Sequence, residues 1–179
     1  MKINKKRNRK KTKKRIILLI TLVTFMLSVV FTLISNIVSD NVGIVIAAIA
    51  VMVIVFIGIF FDMIGVAVAT ANEVPFHSLA SKRVKGSKKA ISIIRHANVY
   101  ATFFNDVVGD VCGIVSGAAT TAIVIKLLTL YDYNALALSI FFGSFVAAVT
   151  VGGKSIGKEI AMNNSDVIVF KIAKIISNK

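Results

Sequence analysis

The sequence predicts an all-α polytopic membrane protein, with four transmembrane helices and short helices at the cytoplasmic interface. Three observations carry that expectation. Of 179 residues, 56% are hydrophobic and the mean hydropathy is +0.84. Long uncharged runs are separated by short charged segments, whereas a soluble domain has no need of so apolar a chain. Lys and Arg are confined to alternate connections, as expected when spans cross a bilayer in turn.

The elements follow in order. Residues 1–15 (MKINKKRNRKKTKKR) hold ten of the 22 basic residues. A basic arm directly before an apolar run is a topology signal and an anchor on anionic lipid headgroups. The formal net charge of +14 is therefore read as membrane-directed, and no nucleic-acid partner is expected. The uncharged run that follows is too long for a signal-peptide core and lacks a clear cleavage site. It is read as an uncleaved first span over 16–34. The second span covers 43–70, the third about 99–127 and the fourth about 135–153, with Gly152 and Gly153 expected to interrupt the helix. The segment 72–98 is basic and amphipathic. Pro75 suits a helix start, Gly86 divides the segment, and Leu79, Val84, Ile91, Ile94 and Ala97 recur at helical spacings. Two short interfacial helices are expected there. The tail 162–179 repeats the amphipathic pattern, either on the interface or docked on the bundle.

Basic residues number ten before the first span, none over 35–42, six over 72–98, one between the third and fourth spans, and five from residue 154 onward. This alternation puts both termini in the cytoplasm of a plasma-membrane protein. The one cysteine, Cys112, excludes an intramolecular disulfide. His77 and His96 have no ligand spacing with another His, Cys or carboxylate. No nucleophile–base pair is visible, so no enzyme and no permanently bound cofactor are expected. GGKSIGK resembles a phosphate loop only superficially, because the required first glycine is Ala148. Lys154 and Lys158 there either snorkel to water or, for Lys154, turn inward.

Chemistry concentrates in FFNDVVGDVCGIVSG, residues 103–117. A charge at the centre of a membrane helix costs at least ~2.5–3.5 kcal/mol, so an intramembrane carboxylate needs a partner, a cavity or an ion. Counted from Val99 at 1.5 Å per residue, Asp106 lies roughly 10 Å and Asp110 roughly 16 Å into the span. Their four-residue spacing stacks them on one helix face, which makes them the candidate metal ligands. Asn105, Ser116, Thr120 and Thr121 add oxygens of the kind hard cations prefer, or serve interhelical hydrogen bonds. Asp62, near the end of the second span, either reaches interfacial water or lines an inward cavity. Asp110, Asp106, Asn105, Asp62, Ser116 and Lys154 are the ion-pathway candidates. Gly109, Gly113 and Gly117 form a small-residue ladder for a neighbouring helix or a dimer.

The order of these features resembles the transmembrane domain of the CorC/CNNM magnesium transporters, and short bacterial proteins of the CorB type. The resemblance covers roughly 43–161. It rests on FFDMIGVAVATANE, the basic two-helix segment, FFNDVVGDVCGIVSG and GGKSIGKEIA. It implies transport or efflux of a divalent cation, Mg2+ with Co2+ second, and a homodimer in the lipid bilayer. It also implies an ion site whose ligands depart here: a serine becomes Ile64, a following glutamate becomes Gly65, an asparagine becomes Asp110 and a glutamate becomes Lys154. The family's cytoplasmic nucleotide-sensing domains have no counterpart in the sequence. A carboxylate facing an ammonium needs no metal, so Asp110 and Lys154 are expected to be able to pair. A transport-inactive relative acting as an interaction or regulatory subunit is the alternative.

Overall fold

The computed structural model describes residues 18–30, 32–33, 43–131 and 134–177. The described residues contain helices and no strand. The basic arm, residues 1–15, lies outside them, as does part of the expected first span. The described part of helix α1, Leu18–Val30, is apolar. Three helices are long and apolar enough to cross a membrane: α2, Ile44–Thr70; α5, Ala97–Leu130; and α6, Ala135–Asn163. Three such helices are compatible with a membrane location.

A stripe of α2 is buried: Ala47, Val51, Val55, Gly58, Asp62 and Gly65 follow one another at steps of three or four. Such a stripe faces one direction on a 3.6-residue helix, and here it meets α5 and α6. Its small residues let backbones approach closely, as membrane helix contacts require. An added Cβ at Gly58 comes within 2.8 Å of the Cys112 side chain, and one at Gly65 collides with the Asn105 amide.

The fourth-span expectation needs correction. Gly152 and Gly153 do not interrupt the helix, because α6 runs unbroken through them to Asn163. A helical glycine costs about 1 kcal/mol relative to alanine. At Gly153 the missing side chain is filled by Ile59 of α2, which a Cβ there would strike. Gly157 similarly lies against Ile59 and Met63. Close packing on α2, rather than helix termination, accounts for these two positions. Asn134 caps the other end of α6, its side chain accepting from the Leu136 and Ala137 amides.

At the basic end, α3 (Val74–Ser81), α4 (Ser87–Arg95) and α7 (Ser165–Ile176) form a layer across the ends of α2, α5 and α6. Proline stands in the first turn of α3, where its missing N–H and fixed φ are harmless. Gly86 joins α3 to α4 at φ 93°, a left-handed conformation that glycine adopts without strain. The apolar faces of these helices turn inward on protein. Phe76, Ala90, Ile93, Val169 and Ala173 make one buried cluster with Ile64 and Val68 of α2. Of the two options for the tail, docking on the bundle is the one observed. Asn72 N–H donates to Asp166 Oδ1 at 2.8 Å, tying the end of α2 to α7. Glu73 accepts from Arg95 Nε at 2.7 Å and faces His77 Nε2 at 2.8 Å, tying α3 to α4. The Arg95 hydrogen bond holds the Glu73 carboxyl below its usual value.

Candidate functional site

The site sits where α2, α5 and α6 meet, one turn inside the basic layer. Asp62 occupies the buried stripe of α2 and is 4% exposed, so the expectation that it reaches interfacial water is overturned. Gly109 of α5 lies beside it: a Cβ at Gly109 would be 3.5 Å from Asp62 Oδ1 and 3.7 Å from Lys154 Nζ. The glycine opens the space that the two charged groups use.

Lys154 comes in from α6 and turns inward. Its Nζ lies 3.6 Å from Asp110 Oδ1 and 3.9 Å from Asp62 Oδ1, and 3.5 Å from the Gly109 carbonyl, to which it donates. Lys158, one turn further along α6, places Nζ 3.8 Å from Asp62 Oδ2. Two carboxylates and two ammoniums thus form one network that is neutral as a set. Every separation exceeds the ~2.7–2.9 Å of a direct charge-assisted hydrogen bond. The network is electrostatically paired but loosely coordinated.

Among the described residues, two buried oxygens beside it accept no hydrogen bond: Asp62 Oδ2, with Lys158 Nζ at 3.8 Å, and Asn105 Oδ1. Buried polar atoms are almost always partnered, and an orphan commonly marks the place of a water or an ion. Asn105 lies against Gly65, one turn along α2 from Asp62. Residues 103–109 of α5 run as a π-helix. The wider turn departs from the 3.6-residue geometry behind the stacking expectation, and such turns often occur at functional sites. It sets Asn105 and Gly109, not Asp106, against α2.

Of the two candidate metal ligands, Asp110 joins the charge network through Lys154. Asp106 is exposed and makes no ion pair among the described residues. The carboxylate brought to Asp110, through Lys154, is Asp62. No group of three His, Cys, Asp or Glu placed to hold a metal ion occurs among the described residues. The glycine ladder also divides. Gly109 packs at the site, but a Cβ at Gly113 or Gly117 meets nothing within 4 Å. No helix among the described residues fills those two positions. The intramolecular packing glycines are Gly58, Gly65 and Gly153 instead.

Gly113 and Gly117 open onto a groove of about 330 Å³ between α5 and α6. Ser116, Thr120, Thr121 and Thr150 line it. Their hydroxyls donate to carbonyls of their own helices, Ser116 to Gly113 at 2.9 Å and Thr120 to Ser116 at 2.7 Å, with Thr121 and Thr150 bonded alike. The interhelical hydrogen bonds expected of them are absent among the described residues. Gly113 follows Asp110 by one turn and Thr150 precedes Lys154 by one turn, so the groove begins at the charge network and runs away from the basic end.

Lys158 is a part of the site that sequence reasoning left among residues reaching for water. The signal for Lys158 was its four-residue spacing from Lys154, which places both on one face of α6. Compared with models of known families, with characterised proteins and with solved structures, the chain matches none.

Proposed function

We propose that this protein moves a divalent cation across the plasma membrane, Mg2+ foremost and Co2+ second, through the Asp62–Asp110–Asn105 cluster. The observation carrying this reading is the pair of donor-less oxygens, Asp62 Oδ2 and Asn105 Oδ1, beside carboxylates that hold an ammonium at 3.6 and 3.9 Å. The Lys154 Nζ occupies the position of a cation between two carboxylates, at distances too long for a saturated ion pair. Lys154 is a tethered competitor for the ion: when it withdraws, the oxygens of Asp62, Asp110 and Asn105 become a hard-cation site. The hydroxyl-lined groove supports a route from that site toward the opposite end. The resemblance to the CorC/CNNM transmembrane domain supplies the ion, and the segregation of basic residues supports a cytoplasmic position for the α3–α4–α7 layer.

The reading is tested by Mg2+ and Co2+ flux into liposomes containing the purified protein. Wild type is expected to exceed protein-free liposomes. Asp62→Asn and Asp110→Asn are expected to lose most of that flux, and Lys154→Gln to shift its dependence on cation concentration. Wild-type flux no greater than that of empty liposomes would sink the proposal.

One observation favours a second reading. Lys154 and Lys158 already neutralise Asp62 and Asp110, which is how a transport-inactive relative would stabilise an inherited site. Such a protein works as an interaction or regulatory subunit, and Lys154→Gln would then lower its stability without creating or altering flux.

A further inference from the structure

We propose that the α3–α4 turn is a binding site for the phosphate-bearing headgroups of anionic membrane lipids, distinct from the basic arm. Lys82, Arg83, Lys88 and Lys89 are all exposed and lie within this one turn and the first turn of α4. No acidic residue stands in that first turn. Cations at the positive end of a helix weaken it, so this placement is poor design for the helix alone and fits an external anion. Among the described residues of the layer, the carboxylates are engaged elsewhere: Glu73 by Arg95 and His77, and Asp166 by the Asn72 amide.

Three features point to lipid rather than to a soluble polyanion. The first is depth. The 27 residues of α2 extend about 40 Å at 1.5 Å per residue, against a hydrocarbon core of ~30 Å. The layer packs on Ile64 and Val68, in the last two turns of that helix, which is headgroup level. The second is composition. Val84 in the same turn is 36% exposed, and Ile175, beside Lys174, is 74% exposed. Apolar side chains interleaved with cations suit the boundary between headgroups and acyl chains. The third is rigidity. Gly86 is buried against α7, where a Cβ would lie 3.0 Å from Lys174 Cα, and Ser87 Oγ closes the turn on the Val84 carbonyl at 2.6 Å. The cations project from a fixed platform, and Lys174 joins them from α7.

The proposal does not rest on the transport reading, and its test measures no flux. The full-length protein is reconstituted in vesicles doped with spin-labelled phosphatidylglycerol or phosphatidylcholine, and the protein-associated fraction of each lipid is read by electron spin resonance. Wild type is expected to prefer phosphatidylglycerol, less so at high salt. With the arm retained, the Lys82→Gln, Arg83→Gln, Lys88→Gln, Lys89→Gln variant is expected to lose at least about fivefold of that preference, about the worth of one basic residue at an anionic surface. Replacing the three lysines by Arg instead should preserve it. Single Lys82→Gln and Lys88→Gln proteins, at exposed positions, give graded losses should the fourfold variant fold poorly. An unchanged preference in the folded variants would assign the effect to the arm and overturn the proposal. So would a wild type without preference that binds a fluorescent oligonucleotide through the same four residues.

Discussion

The layer of α3, α4 and α7 and the facing surfaces of α5 and α6 are both contacts between helices, but they are packed to opposite degrees. In the layer, Phe76, Ala90, Ile93, Val169 and Ala173 are all at most 2% exposed. A few large side chains fill the space between short helices, and polar ties at Glu73 and Asp166 fix their ends. Between α5 and α6 small residues face one another across a groove, a Cβ at Gly113 or Gly117 would meet nothing within 4 Å, and the hydroxyls of Ser116, Thr120, Thr121 and Thr150 are satisfied by their own helices. Asp110, at the head of the groove, keeps its side chain 65% exposed. The contrast teaches that small residues in this protein do two different jobs. Gly58, Gly65 and Gly153 are filled by a neighbour and bring helices together, whereas Gly113 and Gly117 keep space open.

The comparison can be broken most forcefully in the layer. Phe76→Ala empties its centre and is expected to cost about 3–5 kcal/mol, read as a fall in the midpoint of denaturant unfolding in detergent. A smaller loss would mean that the layer is not a true core. Next comes Gly65→Ala, which drives a Cβ into the Asn105 amide and is expected to cost about 1–3 kcal/mol. Combining it with Asn105→Ala should recover much of that, giving a measurable coupling in a double-mutant cycle. Gly117→Ala is the reverse probe. With nothing within 4 Å of the new Cβ, it is expected to raise stability by up to about 1 kcal/mol through helix propensity alone. A loss instead would reveal a helix of a second copy seated in the groove.

The smallest effect belongs to Glu73. Its folded carboxyl is held below its ordinary value, first by the Arg95 hydrogen bond. The contribution is therefore complete above the unfolded value and disappears as pH falls through the folded one. Glu73→Gln should remove a shallow acid dependence of stability below about pH 4.5, visible as convergence of the wild-type and variant melting curves in acid.

Much of this architecture was legible because apolar length and charge placement are local properties. The runs over 43–70, 99–127 and 135–153 became α2, α5 and α6, and Pro75 and Gly86 marked the ends of α3 and α4. The errors arose where one residue type has two uses. Gly152 and Gly153 read as a helix break, yet α6 continues because Ile59 fills the notch at Gly153. Asp106 and Asp110 read as a stacked pair, but the π turn over 103–109 brings Asn105 and Gly109 to α2 and leaves Asp106 out.

By itself the sequence determined the helical class, the membrane-length segments and the gathering of basic residues at one end, since each follows from hydropathy and helical period within a single segment. It also singled out Asp110 and Lys154 as groups able to meet. Only the tertiary structure decided that Asp62 joins them and that Asn105 is left without a donor. The partner of a buried charge is set by where three helices cross, and that crossing is fixed by which glycine each neighbouring side chain fills.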